Sequence, residues 1–175
     1  MKKTTALTVL MAACLFAFHG IVYPGSVPSR EQLCKKMIDL SGWQADKCEW
    51  SSFSQSAVGQ MIEASRNYTK RNQALHVMLV SGMKAMAMWA PFATGLQMEN
   101  NTTLIKTEKI KGYTTGITFD KQEKKGSIVV LLFKNSQASD PRAIFMVNFE
   151  NMSVQKGLEL AKKFDWEGMA ALFAH

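Results

Sequence analysis

Four short segments between residues 104 and 149 have the pattern of β-strands, and their succession constrains the fold more than any other feature. Residues 104–110 alternate apolar and charged side chains, as in an edge or half-buried strand, and residues 112–119 follow at once. Residues 127–133 have the strongest strand pattern in the chain, and residues 143–149 can pair back on them. Because consecutive strands joined by short polar turns pair with their neighbours, the last three of these segments predict an antiparallel meander.

The segments that precede the meander predict one helix and one hairpin. Ser29 and Gln32 have the spacing of a capping box, so a helix is expected over residues 30–41. Residues 57–69 fit helical spacing and strand alternation about equally well. Because a polar stop separates them from a good β-run at residues 74–80, we interpret the two segments as a hairpin.

Three more short helices complete the expected fold. Residues 82–92 have the composition of a short central helix that stops near Pro91. Ser153 and Asp165 each precede an apolar periodic segment and are expected to cap two C-terminal helices. The fold class is therefore α+β: an antiparallel sheet of about five to seven strands, with an N-terminal helix, one short central helix and C-terminal helices packed on it.

The beginning of the chain has the features of a secretory signal peptide. Two lysines precede a run of about 13 apolar or small residues, which is the order of a charged region and a hydrophobic region in such a leader. We expect residues 1–20 to be the signal peptide, residues 21–29 a spacer, and residues 30–175 a single α+β domain. Two alternatives remain: an uncleaved leader of about 20 residues that anchors the chain in a membrane, and a lipid attached to Cys14.

The cysteines agree with export. Apart from Cys14 in the leader, the chain contains only Cys34 and Cys48. An even pair in an oxidising compartment is expected to form a disulfide, so the protein is predicted to be periplasmic or secreted. No CxxC motif is present, and a thiol-exchange site therefore has no support in the sequence.

The charge of the chain limits the classes of partner. The net charge is +7, and residues 1–20 contain two lysines and no acidic residue, so the remainder carries +5. The basic residues are dispersed in pairs, without a glycine-rich phosphate loop or zinc-finger spacing. Because an exported protein rarely meets nucleic acid, we expect an unknown protein or envelope ligand, with association with a membrane surface as a further option.

Four methionines and a tryptophan lie within residues 78–89, and thioether sulfurs are suitable ligands for copper(I). A copper site would combine His76 and Met78, which share one strand face, with Met83 or Met86 from the following helix. Methionine also fills gaps in protein cores and contacts aromatic rings, and packing is the interpretation we favour. A soft patch for lipid or a partner is the third interpretation.

Nothing in the sequence supports a particular catalytic mechanism. Outside the leader the only histidines are His76 and the terminal His175, and neither HExxH nor G-x-S-x-G occurs. No cofactor is therefore expected. We expect a small exported, non-catalytic binding or accessory protein of unknown ligand. The alternatives are a protein that handles copper or another soft metal through Met and His ligands, and a hydrolase of unrecognised type.

Overall fold

The structure is a computed structural model that describes residues 27–55, 59–133 and 142–174. Within these residues the helices are α1 (Arg30–Lys35), α2 (Met83–Ala93), α3 (Val154–Ala161) and α4 (Trp166–Ala171). The strands are β1 (Gln44–Ala45), β2 (Glu49–Gln55), β3 (Gly59–Lys70), β4 (Gln73–Ser81), β5 (Met98–Glu99), β6 (Thr103–Ile110), β7 (Tyr113–Asp120), β8 (Lys125–Leu131) and β9 (Ala143–Glu150).

The nine described strands form one open antiparallel sheet, which confirms the α+β fold class. The strand order is β1–β3–β4–β9–β8–β7–β6–β5, and β2 pairs with β3 on the same edge as β1. The three-stranded meander from β7 to β9 and the β3–β4 hairpin are confirmed, and β6 extends the meander by pairing with β7. Two of the strands, β1 and β5, have only two residues each, and the seven longer strands match the expected number.

One face of the sheet carries the larger apolar core, and we call it the helical face. Helices α1, α3 and α4 bury side chains against it, among them Leu33, Leu160 and Trp166. Alternate residues of the central strands meet them, as the two-residue period of a strand requires. These residues include Val77, Val130, Phe145 and Val147, each at most 1% exposed.

The opposite face carries a smaller core, and we call it the α2 face. Ala85, Trp89 and Phe92 on the inner side of α2 pack there. The strand residues beneath the helix are Met78, Val80, Val129, Leu131 and Ile144. They lie towards the end of β4 from which α2 starts, so the helix covers only part of this face.

The first helix ends earlier than the predicted residue 41. Its last residue is Lys35, and Met37 is already in a turn that bonds to Cys34. The Arg66 guanidinium donates to the Met37 carbonyl, and the Tyr68 hydroxyl donates to the Ile38 carbonyl. Because side chains of β3 occupy the carbonyl groups that a continuing helix would use, tertiary contacts override the helical pattern.

Local predictions on either side of the sheet are confirmed. Ser29 and Gln32 form the capping box, and Ser153 and Asp165 accept backbone N–H groups at the starts of α3 and α4. The predicted disulfide joins Cys34 and Cys48, with a Cα–Cα distance of 5.7 Å. It is compatible with an oxidising, exported environment.

Some predictions fall outside the described residues. These are the signal peptide, Cys14, most of the spacer, the polar turn over residues 135–141 and the terminal His175. Among the helices that the structure describes, none has both the length and the apolar character needed to cross a bilayer.

Candidate functional site

Five polar side chains lie in register across five neighbouring strands on the α2 face. Asn67 pairs with His76, His76 with Asn148, Asn148 with Ser127, and Ser127 with Thr118. Directly paired residues of antiparallel strands point to the same face, so these five side chains form one line, which we call the polar row. Four strand spacings of about 4.8 Å give the row a length of about 19 Å.

The polar row lies beside the part of the face that α2 covers. The neighbouring row on one side, two residues along each strand, contains Met78, Met146, Val129 and Gly116. These residues meet the inner side of α2, whereas the apolar cluster beneath the helix includes no member of the polar row. Asn67 is exposed and the other four are half-buried, so solvent reaches the row.

The next row in the other direction brings charges to the edge of the site. It contains Ala74, Glu150, Lys125, Asp120 and Thr103, and we call it the rim row. The carboxylates of Glu150 and Asp120 therefore lie on either side of the Lys125 ammonium group. The turn that follows Asp120 is held in place, because its Oδ1 accepts the backbone N–H groups of Gln122 and Glu123, each at 2.9 Å.

Hydrogen bonds orient part of the polar row and leave part of it available. His76 Nδ1 lies 2.7 Å from Asn67 Oδ1, and the Ser127 hydroxyl donates to Asn148 Oδ1 over 2.6 Å. No group in the described ranges accepts from the Asn148 amide nitrogen or pairs with the Thr118 hydroxyl. These groups are positioned by the sheet and remain able to bind a ligand.

A concave region of about 500 Å³ lies over one half of the two rows. Thr118, Ser127 and Asn148 contribute to its lining in the middle, and Asp120, Lys125 and Glu150 contribute at the rim. The rest of the lining is formed by Thr103, Ile105, Phe119, Gly126 and Phe149. This volume is within the range of small-molecule sites in proteins. Uncharged donors and acceptors with charges at the rim are suited to hydrogen-bonding a polar ligand.

The predicted copper ligands occupy different environments. His76 is in the polar row, and Met78 lies on the same face of β4 but is 5% exposed beneath α2. Met83 and Met86 are 51% and 46% exposed. At 100° per residue they lie about 160° and about 100° around the helix from the buried Ala85.

The structure thus brings His76 and Met78 to one face and leaves the two helical methionines on the solvent side of α2. No group of three or more His, Cys, Asp or Glu side chains within the described ranges could hold a metal ion. Because methionine is not among these side chains, copper binding stays a prediction.

Ser127 and His76 do not form a nucleophile and base pair. Strand β9 lies between their strands, so two spacings separate them, which is about 10 Å. A general base must lie within hydrogen-bond reach of the proton that it takes. The half-buried histidine is instead bonded to Asn67 on the neighbouring strand.

Of the five residues in the polar row, only His76 was predicted from the sequence as a candidate site residue. His76 and Asn148 each interrupt an apolar run, and such an interruption at a half-buried strand position could have singled both out. Asn67, Thr118 and Ser127 stand in mixed segments without such a contrast. Comparisons with protein-family models, with curated proteins and with solved structures found no match.

Proposed function

We propose that this chain is an exported, non-catalytic binding protein that holds a polar envelope ligand on the open part of its α2 face. The single observation that carries the proposal is the polar row, in which five neighbouring strands of the sheet each present one hydrogen-bonding side chain. At the four half-buried positions of the row, an apolar residue would stabilise the sheet without the cost of partial desolvation of a polar group. A ligand explains why polar groups are aligned there.

The shape of the site supports an elongated ligand. The row extends for about 19 Å across the strands, and the concave region lies over the part between Asn148 and Thr118. The middle of the site carries hydroxyl and amide groups, whereas Asp120, Lys125 and Glu150 stand at the rim. Oligosaccharides and extended peptides both offer repeated uncharged donors and acceptors at such spacings.

Export is part of the proposal and rests on two features. The first is the predicted leader over residues 1–20, with its two lysines and its apolar run. The second is the Cys34–Cys48 disulfide, which persists in oxidising compartments and is rare in the cytosol. The net charge of +5 beyond the leader favours ligands that are neutral or acidic.

Calorimetric titration with four probes tests the proposal: chitotriose, cellotriose, trigalacturonate and tetra-alanine. We expect at least one probe to bind, and Thr118→Ala to weaken it several-fold, because loss of a neutral hydrogen bond costs about 1 kcal/mol. The matched control is Thr114→Ala, which removes the same hydroxyl from the same face of the same strand, about 14 Å away. Absence of binding by all four probes, or equal losses in the two variants, contradicts the proposal.

The copper alternative makes a different prediction. If copper is the cargo, protein produced in copper-containing medium retains the metal, and changing Met83 and Met86 to Leu together releases it. The same double variant leaves both rows intact, so binding of the polar probe is expected to be unchanged. The two measurements therefore separate the two functions in one set of proteins.

A further inference from the structure

Strand β2 is an open edge of the sheet. All seven of its residues are exposed, and its register places it against β3 alone. In the described ranges, no backbone group outside β3 pairs with the backbone of β2. Its outer N–H and C=O groups are therefore available to another strand.

The opposite edge of the sheet, formed by β5 and β6, is protected against pairing with another strand, unlike the edge at β2. Strand β5 covers β6 at Leu104 and Ile105, and the uncovered remainder carries Lys106, Glu108 and Lys109. Charged side chains and short covering strands are the devices by which proteins prevent unwanted strand pairing. The sequence of β2, Glu-Trp-Ser-Ser-Phe-Ser-Gln, contains no lysine, proline or glycine and one charge.

Each face of this edge carries one aromatic side chain. Trp50 is opposite Ala64 on the helical face and Phe53 is opposite Met61 on the α2 face. They are 40% and 51% exposed, among the largest apolar groups that the described chain leaves in solvent. Aromatic residues are enriched at the buried centres of protein interfaces.

We propose that β2 pairs antiparallel with β2 of a second copy of this chain, with Ser52 opposite Ser52. In that register Trp50 faces Ser54 and Phe53 faces Ser51, so each large side chain lies beside a small one. Glu49 faces Gln55, whose amide can donate to the carboxylate. The strand is thus complementary to itself in size and in hydrogen bonding, and this argues for a second copy above an unrelated peptide.

The charges of β2 fit the same pairing. Glu49 is the only charged residue of the strand, and the two-fold axis places its two copies at opposite ends of the new ladder, about 20 Å apart. A register shifted by one residue would oppose Trp50 and Phe53. It would also turn one sheet over and set the helical face of one copy beside the α2 face of the other.

Cross-linking at the two-fold axis tests the register. Paired Cα atoms of antiparallel strands are about 4.5–5.5 Å apart, within the range that a disulfide spans, so Ser52→Cys should form a covalent dimer on mild oxidation. Ser54→Cys is the matched control, since its copies would be about 14 Å apart and should remain unlinked. The native Cys34–Cys48 disulfide is kept in both variants.

Light scattering over a range of concentrations tests the pairing without a cross-link. We expect the unaltered protein to form dimers and Ser52→Lys to be monomeric, because two ammonium groups would meet at the axis. Ser41→Lys, at another exposed serine, adds the same charge and should leave the dimer intact. Circular dichroism of the Ser52→Lys variant verifies that the monomer remains folded.

Three outcomes overturn the inference. The first is a protein that stays monomeric at every concentration and gives no cross-link through residue 52. The second is a dimer that survives Ser52→Lys, which assigns the contact to another surface. The third is protection of β2 amides from hydrogen exchange only after an unrelated extended peptide is added. None of these outcomes depends on whether the polar row binds a probe.

Discussion

The ring of Phe92 lies directly against the backbone of Gly116. A Cβ atom built on Gly116 would come within 2.3 Å of the ring, closer than any real contact allows. Phe92 belongs to the inner side of α2, and Gly116 lies at the centre of β7 in the row next to the polar row. This contact seats α2 on the sheet and so defines the boundary between the covered and the open parts of the α2 face.

Replacement of Gly116 by Ala is expected to destabilise the protein by about 1–3 kcal/mol, the usual cost of overpacking a core. The new methyl group must displace the Phe92 ring, and with it the end of α2. Urea unfolding of the variant and the parent measures the difference.

A double-mutant cycle supplies the control for this substitution. In the Phe92→Ala background the space above residue 116 is empty, so the Gly116→Ala change should cost much less there than in the parent. An equal cost in the two backgrounds would show that the contact does not seat the helix.

The Cys34–Cys48 disulfide is expected to contribute about 3 kcal/mol to the free energy of unfolding, since a closed loop of about 15 residues restricts the unfolded chain by that amount. The two residues are 14 positions apart. Changing both to Ala should lower the urea midpoint, and reduction of the parent should have a similar effect. A protein whose midpoint is the same when oxidised and reduced would argue against this contribution.

Arg66 holds the segment after α1 against β3 with three contacts. Its Nε donates to the Asp46 carbonyl at 2.7 Å, Nη1 donates to the Met37 carbonyl at 2.6 Å, and Nη2 lies 2.7 Å from Asp39 Oδ1. A lysine has one ammonium group and cannot reproduce this fork. Arg66→Lys should cost about 1–3 kcal/mol in urea unfolding, whereas Arg30→Lys, at an exposed position of α1, should cost little.

Alkaline pH should destabilise the protein through Tyr68. Burial raises the pKa of the Tyr68 phenol from 10.0 to about 12, and its hydroxyl donates to the Ile38 carbonyl over 2.9 Å. Because the folded state keeps a proton that the unfolded state loses, the stabilisation is complete below pH 10 and declines as the pH rises towards 12.

Unfolding measured at intervals across this pH range should show a smaller decline in Tyr68→Phe than in the parent. The decline should not vanish, since burial also raises the pKa of Tyr113. Ultraviolet titration provides a second measurement, and a folded protein in which both buried tyrosines ionise near pH 10 would contradict the assignment.

Much of the fold could be predicted from short-range sequence patterns. The helix caps are local contacts. The side chain of the capping residue accepts a hydrogen bond from the backbone N–H three residues further along, as at Ser29, Ser153 and Asp165. The strands of the meander were predicted from alternation and polar turns, and their pairing needs no information beyond chain order. The end of α1 was predicted wrongly, because Arg66 and other side chains distant in sequence determine it.

The polar row could not be predicted in the same way. Its residues come from positions 67, 76, 118, 127 and 148, and they meet only because β4 and β8 both pair with β9. A shift of one residue in any pairing would send a member of the row to the helical face. The register between strands distant in sequence is set by packing of the whole core, which a local pattern does not contain.

Whether the polar row binds the ligand can be measured from backbone amide shifts in a nuclear magnetic resonance titration. With whichever of the four probes binds most tightly, we expect the largest shifts at Asn148, Ser127 and Thr118, with smaller shifts at His76 and Asn67. Shifts concentrated on β2 or on the solvent side of α2, with the five residues of the row unchanged, would contradict binding at the polar row.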